Sequence, residues 1–357
     1  MKRLTATLFF CSFLMVSITS FAQTSSDGDF NNTIKSLSKD AATGYVGPAI
    51  NSFGSNLNTG WVTKAPSPTK FSFSLELKVI AMGSVIDDAV RTFTSTGIFR
   101  FTDSQADQLV QNIPIPSDRA DIKKQILNRE FTVGISGPTI VGSGDQKVNV
   151  TFNGQSFTST SSGITYNIPT QNIDLGVKGY LNNLSLFPTA AIQLNLGTFL
   201  GTNFAVRWFP KVNIKNLGDF TYWGFGAMHN PAVWFNDQFP IDFAVGGFYQ
   251  DLKVGTVFET KASMFGLYVS KTLGAIIAFT PYIGLTTEKS TTTIDYNFNY
   301  TDGNGVLQQT NVHFDMNGAN STGFTVGAAF KLAVLNLNID YKFANIKTAS
   351  AGLTFGF

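Results

Sequence analysis

Apolar and polar residues alternate through the last third of the chain. In the final segment Ala349, Ala351, Leu353, Phe355 and Phe357 share one face, and Thr348, Ser350, Gly352, Thr354 and Gly356 share the other. Before it, Leu335, Leu337, Ile339, Tyr341 and Phe343 oppose Asn336, Asn338, Asp340 and Lys342. One segment further back, Phe324, Val326, Ala328, Phe330, Leu332 and Val334 oppose Gly323, Thr325, Gly327, Ala329, Lys331 and Ala333. A period of two places alternate side chains on opposite faces of a strand, and strands of about 10 residues cross a bilayer when tilted by ~45°. One face suits lipid, the other a polar or small-residue lumen. The same alternation, less regular, predicts strands at 71–79, 173–180, 189–198, 204–212, 220–228, 241–249, 258–270 and 276–287. The fold class that follows is all-β, an antiparallel transmembrane β-barrel over residues 71–357. It should have about fourteen strands, twelve being the alternative.

Two stretches break the pattern. Residues 23–70 are rich in Ser, Gly, Asn and Thr and read as an N-terminal plug segment, with a short helix near Asn31 to Ser38. In the same stretch Ile50, Phe53, Leu57 and Trp61 recur every three or four residues and predict one apolar helical face. Residues 103–128 read as two short helices split by Pro114 and Pro116, a loop insertion beside the barrel. Residues 290–320 predict a hairpin extending beyond the membrane, with turn chemistry at Asp302-Gly303-Asn304-Gly305. A second hairpin is expected at 147–157, turning at Asn153-Gly154.

The first 22 residues run from Lys2-Arg3 through an apolar stretch to Ser20-Phe21-Ala22, the order of a cleavable secretory signal peptide. Cys11 lies inside that stretch, so the chain after it has no cysteine for a disulfide or a thiolate metal site. Removing Lys2 and Arg3 from the 25 basic residues leaves 23 against 23 acidic ones, without the basic excess of a nucleic-acid binder. Charged residues are 13% of the chain and phenylalanines number 34, a surface poorly suited to water. After the signal no segment offers the ~20 apolar residues of a membrane helix, which leaves the closed barrel as the way to satisfy backbone groups in lipid.

The signal, the alternating strands and the ending Ala351-Gly352-Leu353-Thr354-Phe355-Gly356-Phe357 resemble Gram-negative outer-membrane β-barrel proteins of the Bacteroidetes type. The resemblance implies a location in the cell outer membrane, outer-membrane lipid as surroundings, and recognition of Phe355 and Phe357 by the barrel-assembly machinery. It also implies both termini on the periplasmic side and the longer loops outside. A second, more local likeness is to the FadL long-chain fatty-acid and hydrophobic-compound transporter family, whose N-terminal segment plugs the barrel and carries an Asn-Pro-Ala motif. Here Gly47-Pro48-Ala49 occupies that place, with Gly47 where the family has asparagine. The likeness implies that Gly47, Pro48, Ala49, Ile50, Phe53, Leu57 and Trp61 belong to a plug or touch a hydrophobic small molecule.

Candidate chemistry is sparse. The two histidines, His229 and His313, lie far apart in sequence and have no clear nucleophile beside them, although Asp295, Asn311 and Asp315 are near in pattern to His313. The turn at Asp302 has His313 where a calcium loop needs Glu. No phosphate loop, nucleophile elbow or complete dinucleotide fingerprint is present, so neither catalysis nor a cofactor or metal is expected. Trp208, Tyr222, Trp223, Trp234, Tyr249, Tyr268 and Tyr282 read as interfacial girdles. Glu76, Lys78, Asp174, Lys178, Arg207, Lys211, Lys331, Asp340 and Lys342 are lumen candidates of mixed sign. Three functions fit: passive uptake of hydrophobic small molecules through a plugged lumen, a non-transporting outer-membrane scaffold, adhesin or secretion-system barrel, and a soluble secreted β-sandwich. The last would need more charge on its strand faces than the chain has.

Overall fold

The computed structural model describes residues 39–182, 184–214, 218–235, 239–301 and 306–356. The signal peptide, the expected helix at 31–38, the turn at 302–305 and Phe357 lie outside them. A helix α1 (Lys39–Leu57) comes first, then strand β1 (Phe71–Val85). The connection after β1, residues 86–185, carries β2 (Thr92–Phe99), α2 (Asp103–Val110), α3 (Pro116–Leu127), β3 (Phe131–Pro138), β4 (Lys147–Phe152), β5 (Gln155–Thr158), β6 (Thr165–Ile168) and β7 (Gln171–Lys178). Then follow β8 (Leu186–Phe199), β9 (Thr202–Ile214), β10 (Gly218–His229), β11 (Asp242–Val254), β12 (Phe258–Ser270), β13 (Leu273–Gly274), β14 (Ile277–Thr301), β15 (Leu307–Asn317), β16 (Thr322–Leu332), β17 (Leu335–Phe343) and β18 (Thr348–Gly356).

Ten of these strands close a ring of antiparallel neighbours: β1, β8, β9, β10, β11, β12, β14, β16, β17 and β18, which pairs back with β1. The expected count of fourteen, or twelve, is therefore too high. One strand of the excess has a physical origin. The strand expected at 173–180 corresponds to β7, which belongs to a separate sheet β2-β3-β4-β7 and buries Ile173 and Val177 in its own core. A water-soluble sheet with one buried face alternates just as a membrane strand does. The hairpin expected at 147–157 is also corrected: β4 pairs with β3 and β7, while β5 pairs with β6. The helical insertion at 103–128 is real, as α2 and α3, but it is part of an insert that fills 86–185.

Within the barrel the predicted faces hold. Val326, Phe330, Leu337, Ile339 and Phe355 point outward and are exposed, whereas Thr348, Ser350, Gly352, Thr354, Asn338, Asp340 and Lys342 point inward and are buried. The outward face is an apolar band that also takes in Leu267, Phe265, Ile283 and Leu285, the composition a lipid-facing wall requires. Strand β14 runs for 25 residues, about 80 Å, and its second half pairs with β15 from Thr291↔Asn317 to Thr301↔Leu307. The pairing matches the hairpin expected at 290–320.

The insert is organised around Phe99, Phe101, Phe131, Phe152 and Phe157, with the rings of Phe101, Phe131 and Phe152 in mutual contact at 5.4–5.7 Å between centres. Thr102 and Gln105 form a capping box at the start of α2. Asp118, buried in the first turn of α3, accepts hydrogen bonds from the hydroxyls of Tyr166 (2.7 Å), Ser162 (2.7 Å) and Ser159 (2.9 Å), which ties α3 to the β5–β6 hairpin. The Tyr166 hydroxyl, then Ser162, hold its carboxyl below the ordinary carboxylate range. A depressed folded pKa stabilises the fold above the unfolded value near ~3.9, and that contribution disappears as pH falls through the folded value. Asp118→Ala should therefore weaken amide protection across β5–β6 at neutral pH, and the difference from the parent should vanish in acid. A difference that grew in acid would reverse the assignment.

Candidate functional site

The barrel interior is occupied by residues 52–66, the last turns of α1 and the extended stretch that follows. The sequence explains why this segment fits: Ser52, Gly54, Ser55, Asn56 and Gly60 are small, and all are buried. A Cβ at Gly54 would lie 2.1 Å from the Ser290 hydroxyl, and Gly60 has φ +70, so both positions require glycine.

The alternation of the strands aims polar side chains at this segment, and they bond chiefly to its backbone carbonyls. Lys342 Nζ donates to Ser55 O (3.0 Å) and Asn58 O (3.3 Å). Arg207 Nη1 donates to Thr59 O (3.0 Å), Lys78 Nζ to Gly60 O (2.9 Å) and Gln193 Nε2 to Trp61 O (3.0 Å). Nearer the insert, Ser84 Oγ donates to Ser52 O (3.2 Å) and to Asn56 Oδ1 (2.6 Å), and the Ser55 and Thr348 hydroxyls touch. At the other end Ala65 N donates to Ser270 Oγ (3.0 Å), and Asn230 Nδ2 to Pro66 O (2.7 Å). A helix ends with unsatisfied carbonyls and the negative pole of its dipole. Here Lys342 from β17 meets the last turn at Ser55 O, and Arg207 from β9 and Lys78 from β1 take the next carbonyls beyond the helix end, Thr59 O and Gly60 O.

The cations are deeply buried. Lys78, Arg207 and Lys342 are each at most 1% exposed. Lys342 also pairs with Glu288 Oε2 at 2.9 Å, and Thr286 donates to the other carboxylate oxygen. Arg207 donates through Nε and Nη2 to Gln193 Oε1 (3.0 and 2.7 Å) and stacks over Trp61, 3.9 Å from the ring centre. Among the described residues no carboxylate pairs directly with Arg207 or Lys78. Asp340 accepts from the Tyr282 hydroxyl at 2.8 Å.

The expected plug residues separate along this segment instead of sharing one apolar face. Gly47, Pro48, Ala49 and Ile50 sit mid-helix, with Gly47 turned toward Met316 of the hairpin. Phe53 is half-buried, edge-on to Phe187 at 4.9 Å, and Leu57 is fully buried. Trp61 lies beyond the helix end and packs on Phe248 at 4.8 Å in a cluster with Ala205, Met228, Met264 and Tyr268. The helix is longer than the short one expected around these residues because the polar wall, as well as apolar burial, holds it. Of the charged lumen candidates, Lys78, Arg207, Asp340 and Lys342 are inside, while Asp174 and Lys178 belong to β7 and Lys211 is exposed beside Asp219. Glu288 was missed, since it is followed by Lys289 at the point where β14 leaves the wall and no local signal marks it. The girdle reading is corrected for Tyr222, Tyr268 and Tyr282, which are buried and inward; Trp223 and Trp234 are exposed. His313 Nδ1 lies 3.0 Å from Asp295, which also accepts from Asn311. His229 contacts Thr202 and Trp234 at the terminus end.

Two pockets open near that end. One of about 120 Å³ is lined by Lys64, Glu76, Asn203, Lys331, Asn336 and Thr354. A second of about 40 Å³ is of mixed character, lined by Trp61, Met228 and Phe248 together with Lys64, Glu76 and Asn203.

Solved structures similar to the chain include the outer-membrane protein OmpT of Vibrio cholerae (7% identity, 80% of this chain and 98% of that one, TM-score 0.20). They also include the N-terminal barrel domain of Pseudomonas aeruginosa OprF (15%, 44% and 94%, TM-score 0.19). A third is the β domain of the Bordetella autotransporter BrkA (9%, 80% and 100%, TM-score 0.21). Scores this low transfer no residue roles. No curated protein matches the chain. The family of unknown function DUF6588 matches residues 1–357, the whole sequence, and the chain belongs to that family.

Proposed function

We propose that the protein is a non-enzymatic outer-membrane barrel in which residues 39–66 form a displaceable plug that gates the passage of small molecules. The observation that carries this reading is the chemistry of the wall. Buried charges are expensive to desolvate, and a lumen that only had to be filled is served as well by apolar side chains. Lys78, Arg207 and Lys342 are solvated by the segment's carbonyls when it is in place and by water when it is not, so a charged wall keeps both states accessible. A hydrophobic cargo is taken only from the resemblance of Gly47-Pro48-Ala49 to hydrophobic-compound transporters. The outward Phe355, with Phe357, is assigned to recognition by the assembly machinery. The second reading, a scaffold, is favoured by the size of the insert and hairpin.

A reversible lock tests the gate. Cys11 is the only cysteine in the sequence, so Ser55→Cys with Thr348→Cys introduces one pair at two side chains already in contact. The oxidised variant should be closed to both an apolar dye and a small sugar in proteoliposomes, and reduction should restore passage of one of them. If the reduced variant and the parent admit neither probe, the gate reading fails and the scaffold stands.

A further inference from the structure

We infer that α1 is a transmission element, a single helix gripped at one end by the insert and at the other by the lumen, so that the insert controls how firmly the plug is seated. The inference rests on the plug reading and adds a regulatory connection to it.

The grip at the insert is built from specific contacts. Asp40 Oδ2 accepts from Ile98 N (2.8 Å), an amide on β2, the edge strand of the insert sheet. Tyr45 O accepts from Ile140 N (2.9 Å), and the Tyr45 hydroxyl donates to Lys178 O (2.8 Å) at the end of β7. Gly97 and Gly44 permit this closeness, since a Cβ at Gly97 would sit 2.4 Å from Asp40 Cβ and one at Gly44 would sit 2.2 Å from the Phe93 ring. The hairpin adds Lys39 over Phe314 and Asn51 accepting from Ala319 N. The other grip, at Ser52, Ser55 and Asn56, belongs to the barrel wall. Asp40 and Ser55 are separated by about 22 Å of helix at 1.5 Å per residue.

Between the grips stands Pro48. It has no N–H for the Gly44 carbonyl, so the helical ladder lacks one rung where the insert-held half meets the wall-held half. A rod bound at two ends couples them. Whatever loosens one end lowers the free energy needed to free the other, and the effect is reciprocal.

The test reads each end while perturbing the opposite one, in the full-length barrel and without any transport measurement. In one arm, Asp40→Ala with Tyr45→Phe weakens the insert grip, and the readout is labelling of Ser55→Cys by a water-soluble maleimide. In the other, Lys342→Met, or Lys78→Met if the first assembles poorly, weakens the luminal grip, and the readout is hydrogen exchange at the Ile98 and Ile140 amides. Each distant readout should rise by about 5- to 150-fold, the usual range of such coupling, while heat-modifiable migration stays intact. Unchanged labelling and unchanged exchange in folded variants would overturn the inference. Coupling without passage in the lock experiment would leave the transmission standing and remove only the gate.

Discussion

Replacing Glu288 with alanine should destabilise the filled barrel by about 3–5 kcal/mol, the usual consequence of stranding a buried charge. Lys342 and Glu288 have side chains only 1% exposed, so water cannot take the place of the lost carboxylate. Lys342 would keep two carbonyl acceptors but no counter-charge within bonding distance. The control is Glu259, which pairs with Lys261 on a lysine side chain 55% exposed, and Lys261→Ala should change stability by about 1 kcal/mol or less. Removing both members at once, Glu288→Leu with Lys342→Met, should recover most of the loss, because a buried pair exchanged for apolar volume is often close to neutral. Urea midpoints in lipid bilayers decide the matter. Equal losses for the buried and exposed pairs would mean that the lumen is wet and that the dry-wall account is wrong.

The second large effect belongs to the outer face. Val326 is central in β16, exposed, and flanked across the ladder by Tyr341 and Ile283. Val326→Arg should destabilise by about 2–4 kcal/mol if the band around it sits at the bilayer midplane. Thr310→Arg places the same side chain on the exposed face of β15, beyond the wall, where surface changes are usually within ~0.5 kcal/mol. The adjacent Thr325 is unsuitable as a neutral control, since it lines a narrow gap beside Asp340 and Tyr282 in the filled interior. If the two arginines were equally tolerated in lipid, the apolar band would not be the membrane face.

These two predictions mark what could be read from the sequence. The outer face was legible residue by residue, because a strand between lipid and lumen must alternate and Val326 can only be on one side. The same rule failed at Ile173 and Val177, because it records that one face is dry without telling lipid from a protein core. That the stretch from Gly47 to Trp61 is not a wall strand was legible, but not its contacts. Ser52, Gly54, Ser55 and Asn56 have weak helix propensity and no apolar stripe, and their helix is held by side chains more than a hundred residues away in the chain, such as Thr348 and Lys342. Charges at Lys78, Arg207, Asp340 and Lys342 were visible as inward positions. The convergence of the three cations on backbone carbonyls depends on the closure of the ring, which no local pattern encodes.

The seam between β1 and β18, paired from Glu76↔Gly356 to Ser84↔Thr348, joins the first strand of the ring to the last. Lys78 and Ser84 lie on one side of it and Thr348 on the other, and all three hold the segment that precedes β1 in the chain. The earliest part of the described chain is thus enclosed by the latest to be made. Seating the segment therefore adds bonds to both strands of the closing seam, so the ring is tied shut more firmly with the segment in place than with it displaced.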